Sequence, residues 1–384
     1  MRAERGRRTV LLTLGRLPKA LDLARAFAAR GDRVLVAEPY RWHLCRVSRA
    51  VERCFVVPPP STAAERYLDA LESVIHEHGV DLVVPVSEET LFVAGLRPRL
   101  PAGVGLYTMP QPLLLALHSK HEFPVLMQSF GLAAPPTYLA GTPEAAALLA
   151  SRNCVLKPVR SCSGRGLVYL EAGSPVPAQG EAAVVQQRVR GRLLSSFSVL
   201  RDGAVVTTVV YRGTMMAGTV AVGFERVDEA GIAAWVTEFA RQSRYTGFVS
   251  FDFIVDDDDR PWAIECNPRV TSGIHFLRHE DLAPVIRGEP GAPVPRLREH
   301  RRLQQFFPAL TETQGSVFSD RFGANLRTLV GSRDVSWATS DPWPLLTMPI
   351  TSLSIMVRAA AQRRSMGEVA TDEIVWNDPP AGVG

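Results

Sequence analysis

Residues 248–269 read FVSFDFIVDDDDRPWAIECNPR. Two apolar runs rich in Phe, Val and Ile flank four consecutive aspartates, the pattern of two strands joined by a solvated turn. The reading expects strands over 248–255 and 261–266 with residues 256–259 as the tip. Asp252 then lies mid-strand, while Glu265 and Asn267 share a face of the neighbouring strand. Three oxygen-bearing side chains on adjacent strands suit a hard cation such as Mg²⁺, which binds through few carboxylates and completes its shell with phosphate oxygens. The plainer alternative is a hairpin with buried, satisfied polar residues, so the rest of the chain has to decide.

At 384 residues with 46% hydrophobic content, the chain can build two or three cored domains. A net charge of +4 is spread along the sequence. The densest basic cluster, RLREHRR at 296–302, is short and contains a glutamate, which fits a solvated helix face better than a nucleic-acid surface. Five cysteines, Cys45, Cys54, Cys154, Cys162 and Cys266, show no C-x-x-C spacing. Neither a zinc site nor a disulfide framework is expected, and a reducing cytoplasm is. No signal peptide is expected from the basic start and its short apolar run. The longest apolar stretch, 343–357, is interrupted by Pro344 and Pro349 and is too short to span a bilayer. Its trailing Arg358, Arg363 and Arg364 allow a membrane-surface role. Packing against its own domain or a second subunit is the preferred reading, and a homodimer is compatible with it.

The N-terminal pattern is β-α-β: a strand over 9–14, a helix over 18–30 stopped by Gly31, and a strand over 33–37. Such a start opens a doubly wound parallel sheet. The first loop, LGRLPKA, lacks the G-x-G-x-x-G fingerprint, so a dinucleotide site is not expected. A helix over 62–79 and a buried strand over 81–86 follow, ending at Ser87, Glu88 and Glu89. Residues 112–130 read as one or two helices carrying Lys120. Strand-rich sequence begins near Cys154, and a helix is expected over 231–245.

Residues 155–166, VLKPVRSCSGRG, set Lys157 at a strand end before a Ser/Gly-rich loop that includes Ser163, Gly164 and Gly166. A fixed lysine neutralises phosphate charge and such a loop offers backbone N–H donors, although G-K-[ST] is missing. A surface hairpin with a snorkelled lysine is the rival. In VVQQRVRG at 184–191, Gln186 and Gln187 end a strand whose backbone can pair with an adenine edge.

Taken in order, Lys120, VLKPVRSCSGRG, VVQQRVRG and FDFIV…AIECNPR resemble the ATP-grasp superfamily. The resemblance implies α/β and α+β multidomain architecture: an ATP-grasp fold with an N-terminal Rossmann-like pre-ATP-grasp domain. The expected divisions are 1–110, 111–183 with Lys120 and Lys157, 184–298 with the acidic hairpin, and a C-terminal extension over 299–384. It further implies ATP as cosubstrate and Mg²⁺, with Mn²⁺ as an alternative. Lys120 and Lys157 would contact the phosphates, and Gln186, Gln187 and Val189 would form the adenine hinge. Asp252, Glu265 and Asn267 would hold the metal, and Arg269 would face the transferring phosphoryl group. One position departs from the family: Leu193 stands where a glutamate often grips the ribose.

The flanks add a finer resemblance. Residues 17–39, 46–60, 246–255, 263–276 and 341–353 are similar to the mycosporine-glycine synthase family, which joins 4-deoxygadusol to glycine. That implies a C–N ligase that phosphorylates an acceptor oxygen and displaces phosphate with an amino-acid amine, giving ADP and Pi. The alternatives are a carboxylate–amine ligase working through an acyl phosphate, and a nucleotide-binding regulatory module. Acceptor-side candidates are Ser87, Glu88, Glu89, Arg226, Thr271, Ser272 and His275, of which His275 could orient an oxygen or donate a proton. Glu88 and Glu89 could equally cap the helix after them. The expected partners are a small-molecule acceptor and an amino acid, with no nucleic acid and no stable membrane insertion.

Overall fold

The computed structural model describes residues 7–160, 166–177, 182–364 and 366–376. The chain forms two compact units: Met1–Gln111, Gly213–Arg226 and Arg269–Gly384 make the first, Pro112–Arg212 and Val227–Pro268 the second.

The first unit is built on a five-stranded parallel sheet. Its order is Arg53–Val56, Arg33–Glu38, Thr9–Leu12, Leu82–Val84, Gly105–Leu106. The central strands read as unbroken apolar runs because helices cover both faces, leaving no polar side to alternate with. Helix Pro18–Ala28 starts on a proline, whose fixed φ suits the first helical position. It buries Leu21, Leu23, Ala24 and Phe27 completely. Helix Ala64–His78 packs Tyr67, Leu71 and Ile75 against Leu11, Leu35 and Val83. Strand order reverses between Thr9–Leu12 and Leu82–Val84, so the loops after these two strands flank the switch point where open α/β sheets place ligands.

The C-terminal segment folds back on this sheet domain. Ile355, Ala359, Val369 and Ala370 cluster on Tyr40. The Arg16 guanidinium lies 3.5 Å from the centre of the Tyr40 ring, and Arg358 donates to its hydroxyl at 3.1 Å. Buried Asp341 pairs with Arg25 at 3.1 Å and accepts from the Ser48 hydroxyl at 2.6 Å. Within the apolar stretch 343–357 itself, Pro344, Met348, Thr351 and Ile355 are buried, whereas Trp343, Leu346, Ile350, Leu353, Met356 and Val357 are exposed. Among the described residues no helix is long and apolar enough to cross a membrane.

The second unit contains two antiparallel layers. One is the sheet Thr137–Leu139, Ala183–Gln187, Cys154–Pro158, Val168–Leu170, with helix Pro143–Ser151 packed on Cys154, Leu156 and Val185. The other runs Pro261–Asn267, Gly247–Val255, Arg192–Arg201 and then residues 204–211 of the following strand. Helix Ala230–Ser243 lays Trp235 and Phe239 edge-on against Phe251 at 4.9 and 4.8 Å. The hairpin expected over 248–269 is present as Gly247–Val255 and Pro261–Asn267.

Candidate active site

In the second unit, local sequence explains how each polar group is aimed. Asp252 and Glu265 are direct register partners, as are Ser250 and Asn267. A bulge follows Asp252, where pairing resumes at Phe253 with Ala263 and leaves Ile264 extra. Bulges of this kind re-aim side chains beside functional sites. Asp252 accepts from the Ser195 hydroxyl at 2.6 Å and from Asn267 Nδ2 at 3.3 Å. No set of three His, Cys, Asp or Glu side chains that could hold a metal occurs among the described residues. Two carboxylates and one amide remain, a donor set that fits Mg²⁺ sharing its shell with phosphate rather than an all-protein cage.

Lys120 sits in the break between helices Gln111–His118 and Glu122–Ser129, not within one helix. Ser119 Oγ accepts the Glu122 N–H at 3.1 Å and restarts the helix. The Lys120 N–H donates to the Val159 carbonyl at 2.9 Å, and its ammonium lies 3.5 Å from Glu265 Oε1. A lysine that helical periodicity would leave in solvent is thereby buried.

Lys157 is buried in strand Cys154–Pro158 and donates to Gln186 Oε1 at 2.7 Å. Gln186 in turn donates to the Thr137 hydroxyl at 3.0 Å. Burial brings the Lys157 ammonium down to about 8, with Lys120 pushing the same way and Glu265 and Asp252 opposing. An anionic group arriving beside Lys157 would restore its full charge. The structure thus gives the Gln186 side chain to Lys157. At the other hinge positions, the Gln187 N–H donates to the Pro136 carbonyl at 2.9 Å. Val189 is half-buried just beyond the strand, and among the described residues no hydrogen bond engages its backbone.

Ser163 and Gly164 lie outside the described residues. Gly166 closes that loop at φ +70°, and a Cβ there would meet Pro158 at 2.8 Å, so only glycine fits. Leu193, at the expected ribose position, is 60% exposed opposite Ile254 and offers no polar group.

The first unit gathers a separate set of charges. Glu89 accepts the Val86 N–H at 2.7 Å, the Ser87 N–H at 2.9 Å and the Thr13 hydroxyl at 3.0 Å. Glu89 therefore binds the amides before it and caps nothing after it, contrary to the helix-capping alternative. Glu88 pairs with Arg269 at 2.6 Å, both side chains being largely buried. Lys19, in the first turn of helix Pro18–Ala28, donates to Ser87 Oγ at 2.9 Å and to the Val270 carbonyl at 2.7 Å. Sequence reading missed Lys19 as a candidate. A countable signal existed, because the chain has three lysines, Lys19, Lys120 and Lys157, among 43 basic residues.

Thr271 and Ser272 are half-buried at the start of the short helix Ser272–Phe276. His275 is fully buried and its Nδ1 hydrogen-bonds Asp22, which Arg298 also holds at 2.8 Å. Arg226 is half-buried, with its Nη1 on the Arg298 carbonyl at 3.1 Å. A cavity of about 330 Å³ lined by Phe306, Arg333, Asp334, Trp337 and Leu345 contains none of the expected site residues.

Burial alone would raise the Asp22 carboxyl, but Arg298 and His275 outweigh it and bring it down from 3.8 to about 2. A depressed carboxyl stabilises the fold fully above its unfolded value and loses that contribution as pH falls through its folded value. For Asp22 the contribution is about 2 kcal/mol, present above pH 4 and lost towards pH 2. Asp22→Asn is therefore expected to lower the unfolding free energy at pH 7 by about that amount. It should also flatten the pH dependence below pH 4. Urea melts at a series of pH values check both effects.

Residues 120–273 match a family model described as ATP-grasp domain. No curated protein sequence matches the chain. Among solved structures it is similar to N5-carboxyaminoimidazole synthetase from Staphylococcus aureus complexed with ADP. Identity there is 14%, with 76% of this chain and 80% of that chain covered and a TM-score of 0.59. It is also similar to the biotin carboxylase domain of Hydrogenobacter thermophilus 2-oxoglutarate carboxylase in complex with MgADP, ADP and bicarbonate. Identity is 14%, coverage 76% and 72%, and TM-score 0.59. A third is L-amino acid ligase from Bacillus licheniformis, at 16% identity, 77% and 76% coverage and TM-score 0.55. The chain thus carries an ATP-grasp domain in an ATP-grasp fold of mixed α and β content. Its N-terminal parallel sheet is compatible with a Rossmann-like domain.

Proposed function

We propose that this chain is an ATP-dependent C–N ligase that phosphorylates an acceptor oxygen and then displaces phosphate with an amine. The observation that carries this reading is the second-unit cluster. Two buried lysines, Lys120 and Lys157, converge electrostatically on the Asp252–Glu265 pair, with Asn267 beside it. In this cluster the two ammoniums can take phosphate oxygens while the two carboxylates take a divalent cation, the pairing of charges that phosphoryl transfer uses.

In this reading Lys120 and Lys157 neutralise phosphate oxygens, and the Val189 backbone N–H and C=O pair with the adenine edge. Asp252, Glu265 and Asn267 would hold Mg²⁺, which would supply neutralisation of the charge that builds on phosphate oxygens. Arg269, two residues after Asn267 in the chain, presents a guanidinium to the phosphoryl group as charge develops. Phosphoryl transfer asks mainly for positioning and charge stabilisation, so this machinery serves any acceptor oxygen. Thr271, Ser272, His275 and Arg226 belong to the acceptor side in this reading. There His275, hydrogen-bonded to Asp22, orients an acceptor oxygen.

The flank resemblance favours 4-deoxygadusol as acceptor and glycine as amine, giving mycosporine-glycine. A carboxylate acceptor is the second reading, favoured by the likeness to an L-amino acid ligase. An ADP-release assay over paired acceptors and amines tests both. Release that requires 4-deoxygadusol and glycine together supports the first. Release only with a carboxylic acid and an amine supports the second and sinks the first. Nucleotide binding without turnover on any pair would favour a regulatory module.

A further inference from the structure

The geometry points to Lys19 as the residue that receives the anionic oxygen of the acceptor, a carboxylate or an enolate, at the switch point of the N-terminal sheet. This assignment rests on the ligase reading above.

Four observations support it. Of 43 basic residues only three are lysines, so this sequence supplies ordinary surface charge with arginine. The other two, Lys120 and Lys157, are both buried in the proposed nucleotide site. An ammonium is a compact point charge with rotatable donors, and it suits a single oxygen atom better than the planar guanidinium fork. Lys19 is the third such charge.

Its position is also unfavourable for helix stability. A cation in the first turn opposes the helix dipole, and helix Pro18–Ala28 has neither a capping side chain nor an acidic residue there. Thirdly, among the described residues no carboxylate oxygen lies within 4 Å of the Lys19 ammonium; its acceptors are the neutral Ser87 hydroxyl and Val270 carbonyl. Burial and the neighbouring Arg269 lower its pKa to about 7, against the pull of Glu89 and Glu88. An incoming anion would relieve both.

Finally, the two loops that meet at Lys19 follow strands Thr9–Leu12 and Leu82–Val84, the pair between which strand order reverses. Glu89 fixes their geometry by gripping Thr13 on one loop and the Val86 and Ser87 amides on the other. Glu88 and Arg269 stand beside them as an ion pair. The place is built, and the Lys19 ammonium in it donates to two neutral groups, the Ser87 hydroxyl and the Val270 carbonyl.

In the proposed step the acceptor oxygen forms a bond to the γ-phosphorus as the bond to the ADP oxygen breaks, and that electron pair leaves with ADP. The amine nitrogen then bonds to the acceptor carbon. The C–O bond breaks, phosphate departs with the oxygen, and the amine releases its proton to solvent. Lys19 exchanges no proton; it holds the oxygen before transfer.

Three lysines make the test readable residue by residue. Acetic anhydride labelling followed by mass spectrometry reports each one in the full-length protein. MgADP is expected to protect Lys120 and Lys157 and leave Lys19 unchanged. Adding 4-deoxygadusol for the enolate arm, or L-alanine for the carboxylate arm, is expected in one arm to slow Lys19 labelling about tenfold at ten times its Kd. Unchanged Lys19 labelling in both arms, with the other two protected, would overturn this assignment and leave the ligase reading standing. Failure of MgADP to protect Lys120 and Lys157 would instead overturn the ligase reading. Lys19→Gln is the second check. Retained MgADP protection with lost protection by the acceptor fits oxygen binding, whereas equal loss of both fits a structural role and contradicts it.

Discussion

Glu265→Gln is expected to abolish ADP formation, lowering kcat by about a thousandfold or more, while the protein stays folded. The substitution keeps volume and removes one charge. Glu265 is the register partner of Asp252 and lies 3.5 Å from the Lys120 ammonium, so it stands between the proposed cation donors and the lysine proposed to bind phosphate. With the charge gone, Asp252 is the remaining carboxylate of the donor set. Lys157, already held at about 8 by burial, also loses an opposing charge and shifts further down. Both effects act on the charged reaction, and neither removes an apolar contact. Retained turnover in a folded variant would refute the metal assignment, with circular dichroism as the check on folding.

Arg269→Lys is expected to lower kcat by about a thousandfold, near 4 kcal/mol in the barrier, with KM for ATP changed only a few-fold. Lysine rather than alanine is the informative substitution. Glu88 is almost fully buried against Arg269, and removing the charge altogether would strand a carboxylate and confound activity with stability. Lysine keeps the charge beside Glu88 and loses the planar fork that the proposed phosphoryl contact would use. A variant within tenfold of the parent kcat would remove Arg269 from the transfer step. Steady-state ADP release, once an acceptor pair is known, reads both constants.

Much of the proposed nucleotide side was legible because it is local. Two apolar runs around four aspartates mark a hairpin, and period-two alternation then assigns faces without any tertiary information. The bulge after Asp252 was not legible, since an extra residue in one strand shows only against its partner. Lys120 was placed in a helix because its neighbours have helical periodicity. The break is set by Ser119 and by a bond to Val159, far along the chain. Gln186 was expected at the hinge; its position at the strand end was readable, its bond to Lys157 was not.

The proposed acceptor side was harder to read, because its residues are scattered. Lys19, Ser87 and Val270 meet through the topology of a parallel sheet and a return of the chain some 250 positions later. Periodicity carries no record of that meeting. His275 illustrates the same limit: its partner Asp22 lies on the first helix, and nothing near either residue announces the other. The first unit also draws on three separate stretches of sequence, which no linker composition marks.

Calorimetric titration of MgADP into the wild-type protein and into Glu265→Gln tests the central claim most directly. The account predicts saturable one-site binding to the wild type that requires Mg²⁺ and weakens by at least about tenfold in the variant. Absence of saturable binding to the wild type, or equal affinity in the variant and without Mg²⁺, would contradict it.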